Sequence, residues 1–146
     1  MIVLSESDTF GGLLLLLQRA THATLETIGA ELSGLSMSNS EINVLANLAD
    51  GDARTVSQLA TAIGSRPSTM TGVLDRLEQR GLIGRTASSE DRRAVSIALT
   101  AGGRDIAAHI HEVFSRVEHT TLAGLEPETI AALRLGLAAF TEIGHE

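Results

Sequence analysis

Arginine is concentrated in the middle of this 146-residue chain, and a guanidinium-rich segment predicts binding to a polyanion. Residues 54–104 carry eight arginines against four acidic residues, whereas residues 1–53 and 105–146 carry net charges of −6 and −5. Lysine is absent, so the cationic groups are planar guanidiniums, which form paired hydrogen bonds with phosphates and base edges. The overall net charge of −7 therefore conceals a local basic segment.

One charged segment lies between two strand-like runs, at residues 82–86 and 94–99. Its charged candidates are Arg85, Asp91, Arg92 and Arg93. The flanking runs predict a hairpin with a tip of about six to eight residues. A guanidinium there would fit a narrow minor groove, where the negative potential is enhanced. We expect Asp91 to hold Arg93 or cap the turn, and Arg85 to brace that pair or contact a phosphate. The alternative is a surface arginine–aspartate pair of little energetic value.

An amphipathic segment, Pro67 to Arg80, precedes this hairpin. Its predicted buried stripe is Met70, Val73, Leu74 and Leu77, and its predicted DNA-facing residues are Ser65, Arg66, Ser68, Thr69, Thr71 and Arg76. Short hydroxyl side chains allow close approach to bases, and Arg66 is the best candidate for a guanine contact. Arg76 and Arg80 are expected to contact phosphates or to pair with Asp75 and Glu78. The alternative makes Ser65 and Ser68 helix caps and leaves Arg66 solvated.

Caps and breakers predict the elements that position these residues. Ser38–Glu41 and Thr55–Gln58 are capping boxes, Pro67 suits the first turn of a helix, and Gly64 and Gly81 end helices. Two short helices around a glycine turn, followed by a hairpin, indicate a winged helix-turn-helix. The predicted fold class is mainly α with a small two- to three-stranded β wing.

Long helices are predicted on both sides of this central region. The first spans about residues 8–32, the second about 101–122 after a Thr100 cap, and the last begins near Pro127. The leucine run at 13–17 leaves no polar face at that level, so the first helix needs cover on several sides. A second subunit would supply that cover.

Several classes of function are excluded or disfavoured by the composition. The chain has no cysteine, which excludes disulfides, thiolate zinc sites and thiol redox sensing. We find no Walker-type loop and no paired carboxylates at suggestive spacing, so we expect neither an enzyme nor a cofactor. The longest apolar run is too short to span a bilayer, and no export signal is recognisable, so a cytoplasmic location is expected.

The chain resembles the MarR-type winged-helix transcriptional regulators over nearly its whole length. The motifs that carry the resemblance are Gln58-Leu-Ala60, Asp75-Arg-Leu-Glu-Gln-Arg-Gly81-Leu-Ile, Arg85, Asp91-Arg-Arg93, Leu99-Thr100 and Gly102 or Gly103. The wing motif six residues before Leu-Thr is fairly specific to that family. The resemblance implies a homodimer through an N-terminal dimerisation helix (1–36) and C-terminal dimerisation helices (101–146), around a winged helix-turn-helix DNA-binding domain (37–100). It also implies pseudo-palindromic operators, with Arg93 entering the minor groove, and usually repression relieved by a small anionic or phenolic effector.

The same resemblance places an effector pocket where the dimer helices meet the winged lobe. The polar candidates near that junction are Arg19, His22, Asn43 and His109. His109 and His111 fall on different faces of a helix, so they do not predict a metal site by themselves. A winged-helix protein-interaction module without specific DNA binding is the alternative function, although such a module would not need arginines on both helix and wing.

Overall fold

A computed structural model of the protein describes residues 12–87 and 95–143. Over these residues the helices are α1 (Leu13–Glu31), α2 (Asn39–Asn47), α3 (Val56–Ile63), α4 (Pro67–Gln79), α5 (Ala101–Leu122) and α6 (Pro127–Thr141), with a 3₁₀ turn at Ser33–Leu35. The strands are β1 (Arg54–Thr55), β2 (Ile83–Ala87) and β3 (Val95–Leu99). The predicted fold class, mainly α with a small β wing, is confirmed.

Both predicted capping boxes are present. The Glu41 N–H donates to Ser38 Oγ at 3.2 Å, and the Ser38 N–H donates to Glu41 Oε2 at 3.1 Å. Thr55 and Gln58 form the equivalent pair at the start of α3, at 3.1 and 2.9 Å. Each box satisfies backbone donors that a helix start would otherwise leave unpaired. The local sequence therefore determines where these two helices begin.

Two glycines in the left-handed region separate α3, α4 and β2. Gly64, with φ of 66°, follows α3 and turns the chain into α4, whose first residue is Pro67. Gly81, with φ of 72°, follows α4 and directs the chain into β2. Because a residue with a Cβ is strained at such angles, glycine is favoured at both turns. The helix-turn-helix and its wing are thus consecutive in the chain.

The three strands form one antiparallel sheet with β3 in the middle. Ile97 of β3 lies opposite Arg54 of β1 on one side and opposite Arg85 of β2 on the other. The Ile97 side chain is fully buried. The sheet therefore anchors the wing to the core at its central strand.

The chain divides into two compact units, Met1–Val113 and Phe114–Glu146. The larger unit holds the hydrophobic core, to which α2 contributes Ile42, Val44 and Leu45 and α3 contributes Leu59 and Ala60. The predicted stripe of α4 is confirmed, since Met70, Val73, Leu74 and Leu77 are all buried. Burial of this stripe fixes which side of α4 remains available to a ligand.

The base of the wing is closed by residues around Thr100. The Thr100 N–H donates to the Leu82 carbonyl at 3.1 Å, and its hydroxyl donates to the Gly81 carbonyl at 2.6 Å. The same hydroxyl accepts the Gly103 N–H at 3.0 Å, which confirms Thr100 as the cap of α5. A Cβ at Gly103 would lie 1.8 Å from the Leu82 carbonyl oxygen, so α5 packs directly on the backbone at the start of the wing.

The first and last helices, α1 and α6 (the outer helices), leave large apolar side chains exposed. Leu13 to Leu16 of α1 are 46–59% exposed, and Leu135 of α6 is 74% exposed. Within Pro127–Thr141, which the structure describes in full, no residue is buried. In α5, Ile110 and Val113 are buried, while Ile106, Phe114 and Val117 are half-buried. Among the described residues, no helix combines the length and apolarity needed to cross a membrane.

Candidate nucleic-acid interface

The N-terminus of α4 presents Arg66 to solvent. Arg66 is the N-cap residue, with extended backbone angles of −79° and 147°, and Pro67 follows at the first helical position. Arg66 is exposed, and its side chain makes no hydrogen bond or ion pair within the part of the chain that the structure describes. Its guanidinium is therefore available for an external acceptor.

Small hydroxyl side chains surround Arg66. Ser68 and Thr69 are exposed on the first turn, and Thr71 Oγ1 donates back to the Pro67 carbonyl at 3.1 Å. Ser65 is half-buried and makes one long contact, 3.5 Å from its Oγ to the Arg66 carbonyl. Over the described residues no side chain caps the start of α4, so Ser65 and Ser68 do not act as caps. The first amides of α4 are thus open to an anion.

Arg76, which the sequence predicts at the DNA face, is bonded to α2. Its Nε lies 2.7 Å from Glu41 Oε1, and the Glu41 side chain is 7% exposed while that of Arg76 is 55% exposed. Glu41 is 35 positions from Arg76 in the sequence. The sequence pattern predicted only the capping role of Glu41. Arg76 is therefore both part of the domain's internal bonding and accessible from outside.

Arg80 joins the end of α4 to the connector before α2. Its Nη2 donates to the Leu35 carbonyl at 2.9 Å and its Nη1 to the Ser36 carbonyl at 3.2 Å. Ser36 has a φ of 52°, in the left-handed region, at the end of the 3₁₀ turn. Both Nη groups of Arg80 are therefore already hydrogen-bonded to backbone carbonyls of the protein.

The predicted pairing of Arg76 and Arg80 with Asp75 and Glu78 is wrong. Arg85 of β2 takes both carboxylates, with Nη2 2.5 Å from Asp75 Oδ1 and Nε 2.9 Å from Glu78 Oε2. Asp75 and Glu78 are one turn apart on α4, so the fork of one guanidinium can reach both. Arg85 therefore ties the wing to α4. Its predicted partners Asp91 and Arg93, together with Arg92, lie outside the described residues.

Arg54 is likewise engaged, by Asp50. The two side chains form a pair of hydrogen bonds of 2.8 and 2.5 Å. Hydrogen bonding to Arg54 holds the pKa of the Asp50 carboxyl well below its usual value, and the Asp52 N–H adds to the same effect. Of the arginines described in residues 54–104, Arg66 is thus the one with no internal partner, since Arg104 also donates, at 3.4 Å, to the Leu99 carbonyl.

The four effector candidates are not joined by any hydrogen bond or ion pair between described residues. Arg19 and His22 are exposed on α1, His109 is exposed on α5, and the Asn43 amide donates to the Asn39 carbonyl of its own helix at 2.9 Å. A separate open cavity of about 390 Å³ contains none of them and is lined by Ser115, Glu118, His119, Leu122, Ala123, Leu125 and Ile130. Over the described ranges, no group of three or more histidine, cysteine, aspartate or glutamate residues could hold a metal ion.

The helix-turn-helix of α3 and α4, followed by the antiparallel strands β2 and β3, places the chain in the class of winged-helix proteins. Residues 37–95 match the profile of the MarR family. The uncharacterized HTH-type transcriptional regulator YfiV of Bacillus subtilis (strain 168) is 35% identical over 109 residues, which cover 75% of this chain and 68% of YfiV. The chain belongs to the MarR family and is a DNA-binding transcriptional regulator, not an enzyme.

Solved structures agree on the fold. A MarR family transcriptional regulator from Silicibacter pomeroyi superposes with a TM-score of 0.84 at 24% identity, covering 94% of this chain and 93% of that one. S. aureus MepR, in its complex with DNA, gives a TM-score of 0.73 at 23% identity, covering 86% and 93%. At these identities the structures support the architecture alone.

Proposed function

We propose that the protein is a homodimeric repressor of pseudo-palindromic operators, released by a small anionic or phenolic effector. The observation that carries the DNA-binding proposal is the N-terminus of α4, where Arg66, exposed and bonded to none of the described residues, stands beside the exposed Ser68 and Thr69. The start of a recognition helix is the part that usually meets base edges in the major groove. MepR, which shares this fold, has been crystallised with DNA.

The wing supplies the second proposed contact. Arg85 joins β2 to Asp75 and Glu78 of α4, so this strand is held against the proposed recognition helix. Arg92 and Arg93 follow in the segment between the strands, and we propose that Arg93 enters the minor groove. One lobe would then contact two adjacent grooves.

The exposed leucines of the outer helices support the homodimer. If the chain remained alone, the side chains of Leu13 to Leu16 and Leu135 would stay exposed to water. This exposure is unfavourable, because burying apolar surface lowers the free energy. We propose the division into dimerisation helices at 1–36 and 101–146 around a DNA-binding domain at 37–100. We also propose a cytoplasmic location, and an effector site near Arg19, His22, Asn43 and His109.

Selection of bound fragments from a random duplex pool, with sedimentation of the free protein, tests this function. We expect a dimer and a two-fold symmetric consensus with half-site centres about one helical turn apart. A monomer that recovers no consensus sequence would contradict the proposal. Failure to be retained on a random-DNA column at moderate salt would instead favour a protein-interaction module.

A further inference from the structure

We infer that Glu41 is a positioning residue for DNA binding, which acts by holding the Arg76 guanidinium through Nε and leaving both Nη groups to contact a phosphate. The inference rests on the proposed function, because it assumes that the exposed face of α4 meets DNA. It assigns a role in recognition to an almost fully buried carboxylate on a different helix.

The Glu41 carboxylate is fixed at both oxygens. Oε1 accepts from Arg76 Nε at 2.7 Å, and Oε2 accepts from the Ser38 N–H at 3.1 Å. The Ser38 hydroxyl in turn accepts the Glu41 N–H at 3.2 Å, which fixes the helix start from which the side chain extends. Only 7% of the Glu41 side chain is exposed, so water competes little for these two bonds. Glu41 is therefore a rigid acceptor for Arg76.

The exposed part of Arg76 is directed along α4 toward its N-terminus. A Cβ at Gly72 would lie 3.7 Å from Arg76 Nη1, so the guanidinium lies above Gly72, one turn earlier in the helix. Thr69 is a further turn toward the N-terminus on the same side, where the proposed DNA contacts begin. Neither Nη group donates a hydrogen bond within the described part of the chain. Over residues 12–87 and 95–143 the two groups thus have no bonded partner on the side that would face DNA.

Restricting Arg76 before binding should favour the complex. A free arginine loses rotamer freedom when it contacts a phosphate, and part of that cost is removed when Nε is already bonded. The charge of Glu41 acts in the opposite direction, because a carboxylate near DNA weakens binding through the phosphates. When the Glu41 charge is removed, positioning therefore predicts weaker DNA binding, and simple electrostatics predicts tighter DNA binding.

Glu41→Gln separates these two effects. The single amide oxygen of glutamine can still accept the Ser38 N–H, but its NH₂ group cannot accept from Arg76 Nε. We expect this variant to bind a random-sequence duplex of about 30 base pairs, long enough for two half-sites, about fivefold more weakly than wild type. In the Arg76→Ala background the same substitution should produce no further weakening. Thr55→Ala, which removes the equivalent cap hydroxyl of α3 and leaves the Glu41–Arg76 pair intact, should bind as wild type at a temperature well below unfolding.

Thermal unfolding of each variant separates folding defects from binding defects. The inference is overturned if Glu41→Gln binds as tightly as wild type or more tightly, as loss of a negative charge alone predicts. It is also overturned if the loss is equal with and without Arg76, since Glu41 would then act through stability. A wild-type protein that binds no duplex at low ionic strength would overturn the proposed function as well, which distinguishes the two failures.

Discussion

Arg66 stands immediately before α4 as its N-cap residue, and its side chain is exposed. The N-cap residue has extended backbone angles, and Pro67 fixes the direction in which the helix begins. Around it the side chains are short, so the helix can approach a groove closely. Because Arg66 has no internal partner among the described residues, its substitution should affect binding without affecting folding.

Arg66→Lys tests whether this residue contacts a base. Lysine keeps the charge but lacks the planar fork that pairs with guanine, so affinity for random duplex should be nearly unchanged. Discrimination between the operator and random duplex should fall by about 1–3 kcal/mol. Competition titrations with both duplexes measure the two quantities. A parallel loss on both duplexes would assign Arg66 to a phosphate instead.

At the residue scale, partners that are close in the sequence are predictable and distant partners are not. Both capping boxes were predictable because their partners lie three positions apart. The partners of Arg76 and Arg80, by contrast, are Glu41 and the Leu35 and Ser36 carbonyls, 35 to 45 positions away. Charge proximity along the helix favoured Asp75 and Glu78, but tertiary packing brought Arg85 to them. A count of arginines therefore identifies a basic region without identifying which guanidiniums are available.

The elements themselves were predictable because caps, glycine turns and apolar periodicity agree. The limits of α5 and the start of α6 follow from Thr100 and Pro127 as predicted. The short strand β1 was not located from the sequence, since its two residues, Arg54 and Thr55, carry no alternating pattern and pair only because β3 lies beside them. The close packing of Gly103 on Leu82 likewise depends on a contact between elements.

Gly103→Ala should destabilise the fold. The new Cβ would be 1.8 Å from the Leu82 carbonyl oxygen, which is backbone and cannot move without displacing β2. We expect a loss of about 1–3 kcal/mol in the free energy of unfolding, measured with denaturant. Gly102→Ala is the matched control, because its Cβ would be 3.9 Å from its nearest neighbours. Equal stabilities of the two variants would show that the root of the wing is not tightly packed.

Arg93→Ala tests the wing as an element that contacts DNA without reading sequence. Removing one groove contact should weaken binding to the operator and to random duplex together, and should lower the salt slope of binding by about one. Titrations of both duplexes at two salt concentrations measure these effects. Unchanged affinity at both concentrations would remove the wing from the interface.

At the scale of the whole molecule, positive charge and exposed leucines occur in different segments of the sequence. The central region carries a net positive charge, and the acidic flanks contain the exposed leucines of α1 and α6. Acidic flanks on a DNA-binding protein are unfavourable unless they face away from the phosphates, which an outer dimerisation region would allow. The sequence indicates that α1 needs a partner, because a leucine run has no polar face. Which chain is that partner depends on contacts between chains, and a local sequence pattern does not contain them.

Leu15→Glu should shift the protein toward monomers. Leu15 is 59% exposed in the single chain, so a charge there is harmless to the isolated fold and costly in an apolar subunit interface. Gln18→Glu, one turn away, adds the same charge at a polar position and should leave the assembly unchanged. Sedimentation velocity over a concentration series measures both. An unchanged dimer in Leu15→Glu would contradict the assignment of α1 to the interface.

The closure at Thr100 has a consequence for how such regulators diversify. The wing begins after Gly81 and ends at Thr100, and the Thr100 hydroxyl bonds both the Gly81 carbonyl and the Gly103 N–H. Because Arg85 is bonded to α4 and Ile97 is fully buried, a change in length or charge that keeps this attachment is restricted to the residues between β2 and β3, 88–94. A chimaera that carries this segment of a relative should fold with native cooperativity and acquire the donor's preference for flanking bases. Insertions and deletions in this segment would then change which operators are bound without disturbing the attachment of the wing.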